Sequence, residues 1–302
     1  QQYSDDEDPN IKYNENWGYR NGEEFSFTRN FYHKPIMSLN WDFDINSATK
    51  LSTSAYASFG RGGGTGEIGT INGRRQFALP RTDNGLIRVD DIFAYNSGQA
   101  VPDFGNDANP EGQRTLTDGI YLNQGNGDRS SANGITRRAS INSHNWFGVL
   151  SNISNQLTDE LTLDVGVDLR TYKGIHYRRV NNLMGGDAYL QTDNVNNDPN
   201  PVQRQTYDAD PNFWVFSDID AEEKIDYYND GLVRWAGTFG QLEYNNDVIS
   251  AFVQGSISNQ GFKRVEYFGE LEGSQETDWE NIIGGNIKGG LNWNIDERHN
   301  IY

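Results

Sequence analysis

The sequence predicts an all-β, antiparallel fold. Three observations predict it. Several stretches alternate apolar and polar residues with a period of two, as strands with one buried face do. Gly (33 of 302), Asn and aromatic residues are abundant and Pro (8) is scarce, which suits many strands and turns rather than disorder. No heptad, no exact repeat and no amphipathic helix longer than a couple of turns interrupts the pattern.

The strands follow in order. In "PIMSLNWDFDI" the apolar set is Met37, Leu39, Trp41, Phe43 and Ile45, against Ser38, Asn40, Asp42 and Asp44. "LSTSAYASFG" sets Leu51, Thr53, Ala55, Ala57 and Phe59 against Ser52, Ser54, Tyr56 and Ser58. "HNWFGVLSNI" reads in either register. "LTLDVGVDLR" is the cleanest ribbon: Leu161, Leu163, Val165, Val167 and Leu169 on one face, Asp164, Asp168 and Arg170 on the other. "GLVRWAGTFGQLEY" shows Val233, Trp235 and Phe239 on one face and then shifts near Gly240, as a bulge would make it do. "VISAFVQGSIS" has Ile249, Ala251, Val253, Gly255 and Ile257. "IIGGNIKGGLNWN" has Ile283, Gly285, Ile287, Gly289, Leu291 and Trp293, with Lys288 on the other face. "IY" at 301–302 opens an eighth strand.

Connections alternate between short and long. The short ones are 45–50, 154–160, 245–247 and 295–300; the long ones run over about 61–142, 180–228 and 269–280. A β-barrel that spans an outer membrane has this pattern, with tight periplasmic turns and long extracellular loops. A soluble sandwich scatters its loop lengths. The segment from Leu161 to Arg178 exceeds the roughly 9 to 11 residues that cross a bilayer, so it should continue beyond the lipid from about Tyr172. Trp41, Phe43, Trp146, Trp235, Tyr244 and Trp293 lie near the strand ends, as in an aromatic girdle, although aromatic residues are common in any sheet. The whole chain, 1–302, therefore reads as part of one transmembrane barrel.

Composition narrows the function. A net charge of −18 argues against nucleic acid, whose backbone needs a basic patch, and gives no polybasic membrane anchor. The chain has no Cys, hence no disulfide or thiolate metal site, which leaves the compartment open. No run of about 18 apolar residues exists for a membrane helix, and the mean hydropathy of −0.79 fits a barrel with a polar lumen and polar loops. The chain starts at Gln1 without a signal peptide, as a mature or partial chain would.

Four stretches, "YNENWGYRNGEEFSFTRNFYHKP" (13–35), "LSTSAYASFGRGGGTG" (51–66), "YKGIHYRRVNNLMGGDAYL" (172–190) and "FGQLEYNNDVISAFVQGSIS" (239–258), resemble the TonB-dependent outer-membrane receptors. The nearest subgroup carries a carboxypeptidase-like N-terminal domain and is related to the starch-utilisation-type transporters. The resemblance covers nearly the full chain. It implies a barrel of 22 strands with a plug inside it. It also implies uptake of an oligosaccharide, peptide or metal chelate driven by the inner-membrane TonB complex, in many cases with a surface lipoprotein as a lid. The chain departs from that pattern: it shows no plug domain and no TonB box. Seven to eight strands make only an arc of such a wall.

Candidate chemistry is sparse. "GRGGGTG" (60–66) lacks the Gly-Lys-Ser/Thr ending of a phosphate loop and reads as a flexible loop start. "SDDEDPN" (4–10) and "SDIDAEE" (217–223) alternate carboxylates as calcium loops do, but lack the glycine and closing Glu of an EF-hand. They read as solvated acidic loops, with a weak Ca²⁺ site at Asp218, Asp220 and Glu222 as the sharper alternative. His33, His144, His176 and His299 fit no metal spacing; His144 and His176 are placed to meet across neighbouring strands, with plain hydrogen bonding the expected role. Asp164 and Asp168 stand roughly 13 Å apart along a strand, too far for a retaining glycosidase pair, so with Arg170 they read as a lumen ion-pair network. No nucleophile–base arrangement and no cofactor motif is found, and no enzymatic activity is expected. The polar face, with Asp42, Asp164, Asp168, Arg170 and Lys288, should meet the plug or a diffusing ligand. "DPNFWVFSD" (210–218) offers Phe213, Trp214 and Phe216 to a sugar ring or a lid, or to a small loop core. A soluble or surface-attached binding protein of the lectin or adhesin kind, and a structural or secretion-associated barrel without active uptake, are the competing readings.

Overall fold

The computed structural model describes residues 14–125, 133–211, 213–214, 222–296 and 298–302. The chain enters through a hairpin of β1 (Trp17–Arg20) and β2 (Glu23–Ser26). Its turn is Asn21-Gly22, both with positive φ (50° and 83°), as a two-residue turn matched to strand twist requires. Next, β3 (Asn30–His33) and β4 (Ile36–Asn46) line one edge of β5 (Thr49–Thr70). They are one strand broken at Pro35, which has no N–H to donate; its carbonyl still accepts from the Phe59 N–H at 3.1 Å.

After β5 come α1 (Val89–Asn96) and β6 (Leu122–Gln124). The sheet resumes with β7 (Gly134–Gln156) and β8 (Leu161–Asn182). Two short strands, β9 (Ala188–Leu190) and β10 (Val202–Gln203), join β6 in a small separate sheet. The main sheet continues with β11 (Ile225–Asn245), β12 (Ile249–Glu266), β13 (Glu280–Asp296) and β14 (His299–Ile301). Its order is β14-β13-β12-β11-β8-β7-β5, with β3 and β4 on the far side of β5. All of its pairings are antiparallel, and apart from β3, which pairs with β5 past β4, each joins strands consecutive within the sheet. The sheet is open, with one edge at β4 and the other at β13 and β14.

Directly opposite residues share a face, so the registers trace each face across the sheet. One row runs Phe43, Leu51, Ile153, Val165, Gly240, Gly255, Ile287. The next runs Trp41, Thr53, Ser151, Val167, Thr238, Ile257, Gly285. The apolar sets of the β4, β5, β8, β12 and β13 ribbons thus fall on a single face. "HNWFGVLSNI" resolves to Phe147, Val149, Ser151 and Ile153 on that face.

β11 corrects the sequence reading. Val233, Trp235 and Phe239 lie on the polar face, opposite Tyr172, Arg170 and Gly166. Leu232, Arg234, Ala236, Thr238, Gly240 and Leu242 take the apolar face, and the register runs unbroken from Tyr228 to Tyr244, without a bulge at Gly240. Ala, Thr and Gly on the true apolar side are too small to outweigh the aromatic rings on the other. Two of the expected girdle residues, Trp146 and Trp235, also face the polar side. Trp41, Phe43, Tyr244 and Trp293 take the apolar side, and Trp41 stacks on Phe43 at 5.8 Å.

Two of the three long connections are shorter than expected because the strands outrun them. β5 reaches Thr70 and β7 begins at Gly134, while β8 ends at Asn182 and β11 begins at Ile225. "GRGGGTG" lies inside β5 and is not a loop. Glycine is needed there: a Cβ on Gly63 would stand 2.2 Å from the Ser140 carbonyl oxygen.

The connections also have cores of their own. α1 buries Val89, Ile92 and Tyr95 against Phe27, Ile71, Phe104, Ile135 and Met184. Asp90 and Asp91 sit in its first turn, where carboxylates suit the helix dipole. Gly98 (φ 82°) follows its end. A second cluster, with Phe31, Ile141, Ile175, Tyr177 and Ala209, sits on the apolar side of the extended strands. A third, with Ile68, Val180, Tyr189 and Ile225, sits on the polar side.

Candidate functional site: a two-faced wall

The lower part of the sheet, next to the short turns, has one apolar and one polar face. The apolar face is bare. Val165, Val167 and Leu169 are about half exposed, and Ile283, Ile287 and Leu291 expose 74%, 80% and 60% of their surface. Monomeric soluble proteins rarely leave so continuous an apolar surface uncovered. Its height along the strands is Met37–Ile45, Leu161–Leu169 and Ile283–Trp293, or nine to eleven residues, which is the length of a bilayer-crossing strand.

The polar face holds the expected wall residues. Asp42 accepts from the Ser52 hydroxyl at 2.6 Å and lies 3.4 Å from Lys50. Arg170 donates twice to Asp168, and its guanidinium lies 5.6 Å from the Trp235 ring centre. That pair is the only part of the expected network which forms: no ion pair of Asp164 or Lys288 is found among the described residues. Asp164 stands opposite Ser154 and Gln241.

Sequence reasoning missed an aromatic band on this face. Tyr56, Trp146 and Tyr172 meet edge to face at 5.9 and 6.2 Å, and His144 stacks on Tyr172 at 5.6 Å. The signal was present as glycines opposite rings. A Cβ on Gly148 would stand 2.3 Å from the Tyr56 ring, and one on Gly166 the same distance from Phe239. Rings beside an Arg–Asp pair offer stacking and hydrogen bonding to a polar ligand. His144 does not bond to His176; Ser58 Oγ lies 3.3 Å from its Nε2, in line with a plain hydrogen-bonding role.

The loop aromatics lie elsewhere. Phe213 packs on His33 at 4.9 Å, and Asp210 pairs with Arg29 at 3.0 Å. His33 stands opposite Arg61, two residues from Phe59, on the same side as the apolar belt. Phe213 and Trp214 remain about two-thirds exposed there, beyond the end of the belt rather than over the polar face. Phe216, Asp218 and Asp220 lie outside the described residues, as does the 4–10 acidic stretch. Glu222 is committed to protein partners: Arg179 at 2.7 Å and the Tyr177 hydroxyl at 2.6 Å. No cluster of three potential metal ligands occurs among the described residues.

Electrostatics beyond the belt are dominated by burial. Burial, then the neighbouring Glu222 carboxylate, pushes the Tyr177 hydroxyl far above its ordinary range. Burial likewise raises Tyr189, whose hydroxyl donates to the Gly125 carbonyl at 3.1 Å. Burial raises Glu67, and Arg75 at 2.7 Å pulls it partly back.

The fold is all-β with an antiparallel main sheet. No helix among the described residues is long and apolar enough to cross a membrane, which says nothing of strands. No family model matches the chain, and no curated protein matches it significantly.

Proposed function

We propose that this chain is an arc of an outer-membrane β-barrel and that the barrel takes up a nutrient ligand. One observation carries the wall reading: an uncovered apolar belt, nine to eleven residues high, crosses seven neighbouring strands opposite a polar face. The alternation of short turns with folded, extended hairpins supports it. The polar face is then the lumen, where Asp42, Asp168, Arg170 and the Tyr56–Trp146–Tyr172 band meet a plug or a passing ligand.

Uptake rests on the resemblance to the TonB-dependent receptors. Under that reading a TonB complex supplies the work, and a surface lipoprotein can close over the loops. The ligand class stays as broad as oligosaccharide, peptide or metal chelate. A soluble lectin-like protein would have to cover the belt, and among the described residues nothing packs on Val165, Leu169 or Ile287 to hide them.

Two experiments test the two steps. The intact protein should need detergent or lipid to stay monodisperse; a monodisperse species in plain buffer would end the wall reading. Cells lacking the gene should lose accumulation of one member of a panel of labelled oligosaccharides, peptides and metal chelates, and only while the inner membrane is energised. Unchanged accumulation of every panel member would leave a structural barrel instead.

A further inference from the structure

The apolar face is not uniformly bulky. Mid-strand, β11 brings the small Ala236, Thr238 and Gly240 to it, between the larger side chains of β8 and of β12 and β13. A trough of about 410 Å³ results, lined by Val167, Leu169, Ala236, Thr238, Ile257 and Ile283. Two residues along β11, away from the short turn, the same face carries Arg234. Its guanidinium lies 4.2 Å from the Trp279 ring centre and donates to Asn281 Oδ1 at 3.3 Å. Gly261, directly opposite, leaves room for the stem: a Cβ there would stand 2.7 Å from Arg234 Nε.

The neighbouring cations are already neutralised. Lys173 pairs with Asp230 at 2.8 Å, and Lys263 pairs with Glu276. No carboxylate pairs with Arg234 among the described residues. An exposed guanidinium, steadied by an indole, thus stands at the end of an apolar trough.

We propose that Arg234 and the trough form a binding site for an anionic membrane lipid. One acyl chain lies along Ala236 and Thr238, and the headgroup phosphate is held by Arg234. Charge complementarity and continuity with the belt select a lipid over a second protein. A packed partner would need its own apolar ridge and a carboxylate at one fixed height, whereas a phospholipid brings chain and anion together at the interface. The inference rests on the wall reading.

The test uses the full-length protein in vesicles of phosphatidylcholine doped with spin-labelled phosphatidic acid or with spin-labelled phosphatidylcholine of the same chains. The motionally restricted lipid fraction is read by electron spin resonance. The wild type should select phosphatidic acid about fivefold over phosphatidylcholine at this site. Arg234→Gln should abolish that selectivity while keeping the protein inserted, and Arg234→Lys should restore part of it. Thr238→Trp should reduce restriction of both lipids. Equal selectivity in the wild type and Arg234→Gln, or none in the wild type, overturns the lipid site but leaves the wall standing. Failure of the wild type to insert overturns both.

Discussion

At Gly63 the backbone of β5 passes so close to β7 that any side chain meets the Ser140 carbonyl at 2.2 Å. Gly63→Ala should therefore cost about 1 to 3 kcal/mol, the range for overpacking a well-fitted site, and denaturant melts should show it. Tyr177 makes a different demand. It is 2% exposed and donates to Glu222, which also holds Arg179. Tyr177→Phe should cost about 1 to 2 kcal/mol, since it leaves a half-buried carboxylate short of one donor. Burial and Glu222 raise the folded-state pKa of this hydroxyl above its ordinary 10.0. The folded form therefore keeps a proton that the unfolded chain gives up. The associated stability is complete below pH 10 and declines as the pH rises above it. Fluorescence melts between pH 9 and 11 should show the loss in the wild type and a smaller slope in Tyr177→Phe. Residues of this kind were invisible in the sequence. "GRGGGTG" reads as a flexible loop because glycine weakens a strand, and only the close approach of partner strands explains five glycines there.

Strand β8 was the most legible element, because a period-2 ribbon with branched aliphatics on one side and charges on the other admits few alternatives. Its two faces make opposite demands on substitution. Val165 stands near the middle of the belt, so Val165→Arg should block assembly in the membrane at a cost of about 2 to 4 kcal/mol. Asp168→Asn should fold, since Arg170 keeps its stacking on Trp235. Heat-modifiable gel mobility after refolding into detergent distinguishes the two, and equal tolerance would contradict the assigned faces. β11 was misread for a physical reason: its apolar face carries Ala236, Thr238 and Gly240, while its polar face carries Trp235 and Phe239. Ring size misleads a periodicity test when the polar face is aromatic. The partners settle the register, as Gly166 leaves the space that Phe239 fills.

Across the whole molecule, the order of strands and the short turns were readable because each strand pairs with its neighbour in sequence. The folded connections were not. α1 and its partners, from Phe27 to Met184, are scattered over some 160 residues and show no period; their core exists only once β5, β7 and β8 have carried the segments together. Phe213 and Trp214 stand out in the sequence as aromatics in a polar loop, for a ligand, a lid or a loop core, but the side of the sheet on which they sit depends on Asp210 reaching Arg29. The central claim concerns the belt, and the absence of Cys from this chain makes a direct test available. Single cysteines at 163, 164, 165, 167, 168 and 169 in the full-length protein, reconstituted in vesicles, can be titrated with a membrane-impermeant maleimide; Gly166 is left out because Phe239 fills the space beside it. Positions 163, 165, 167 and 169 should resist labelling until detergent is added, while 164 and 168 should react from the aqueous side or be shielded only by a plug that denaturant removes. Rapid labelling of all six positions without detergent would contradict a membrane wall.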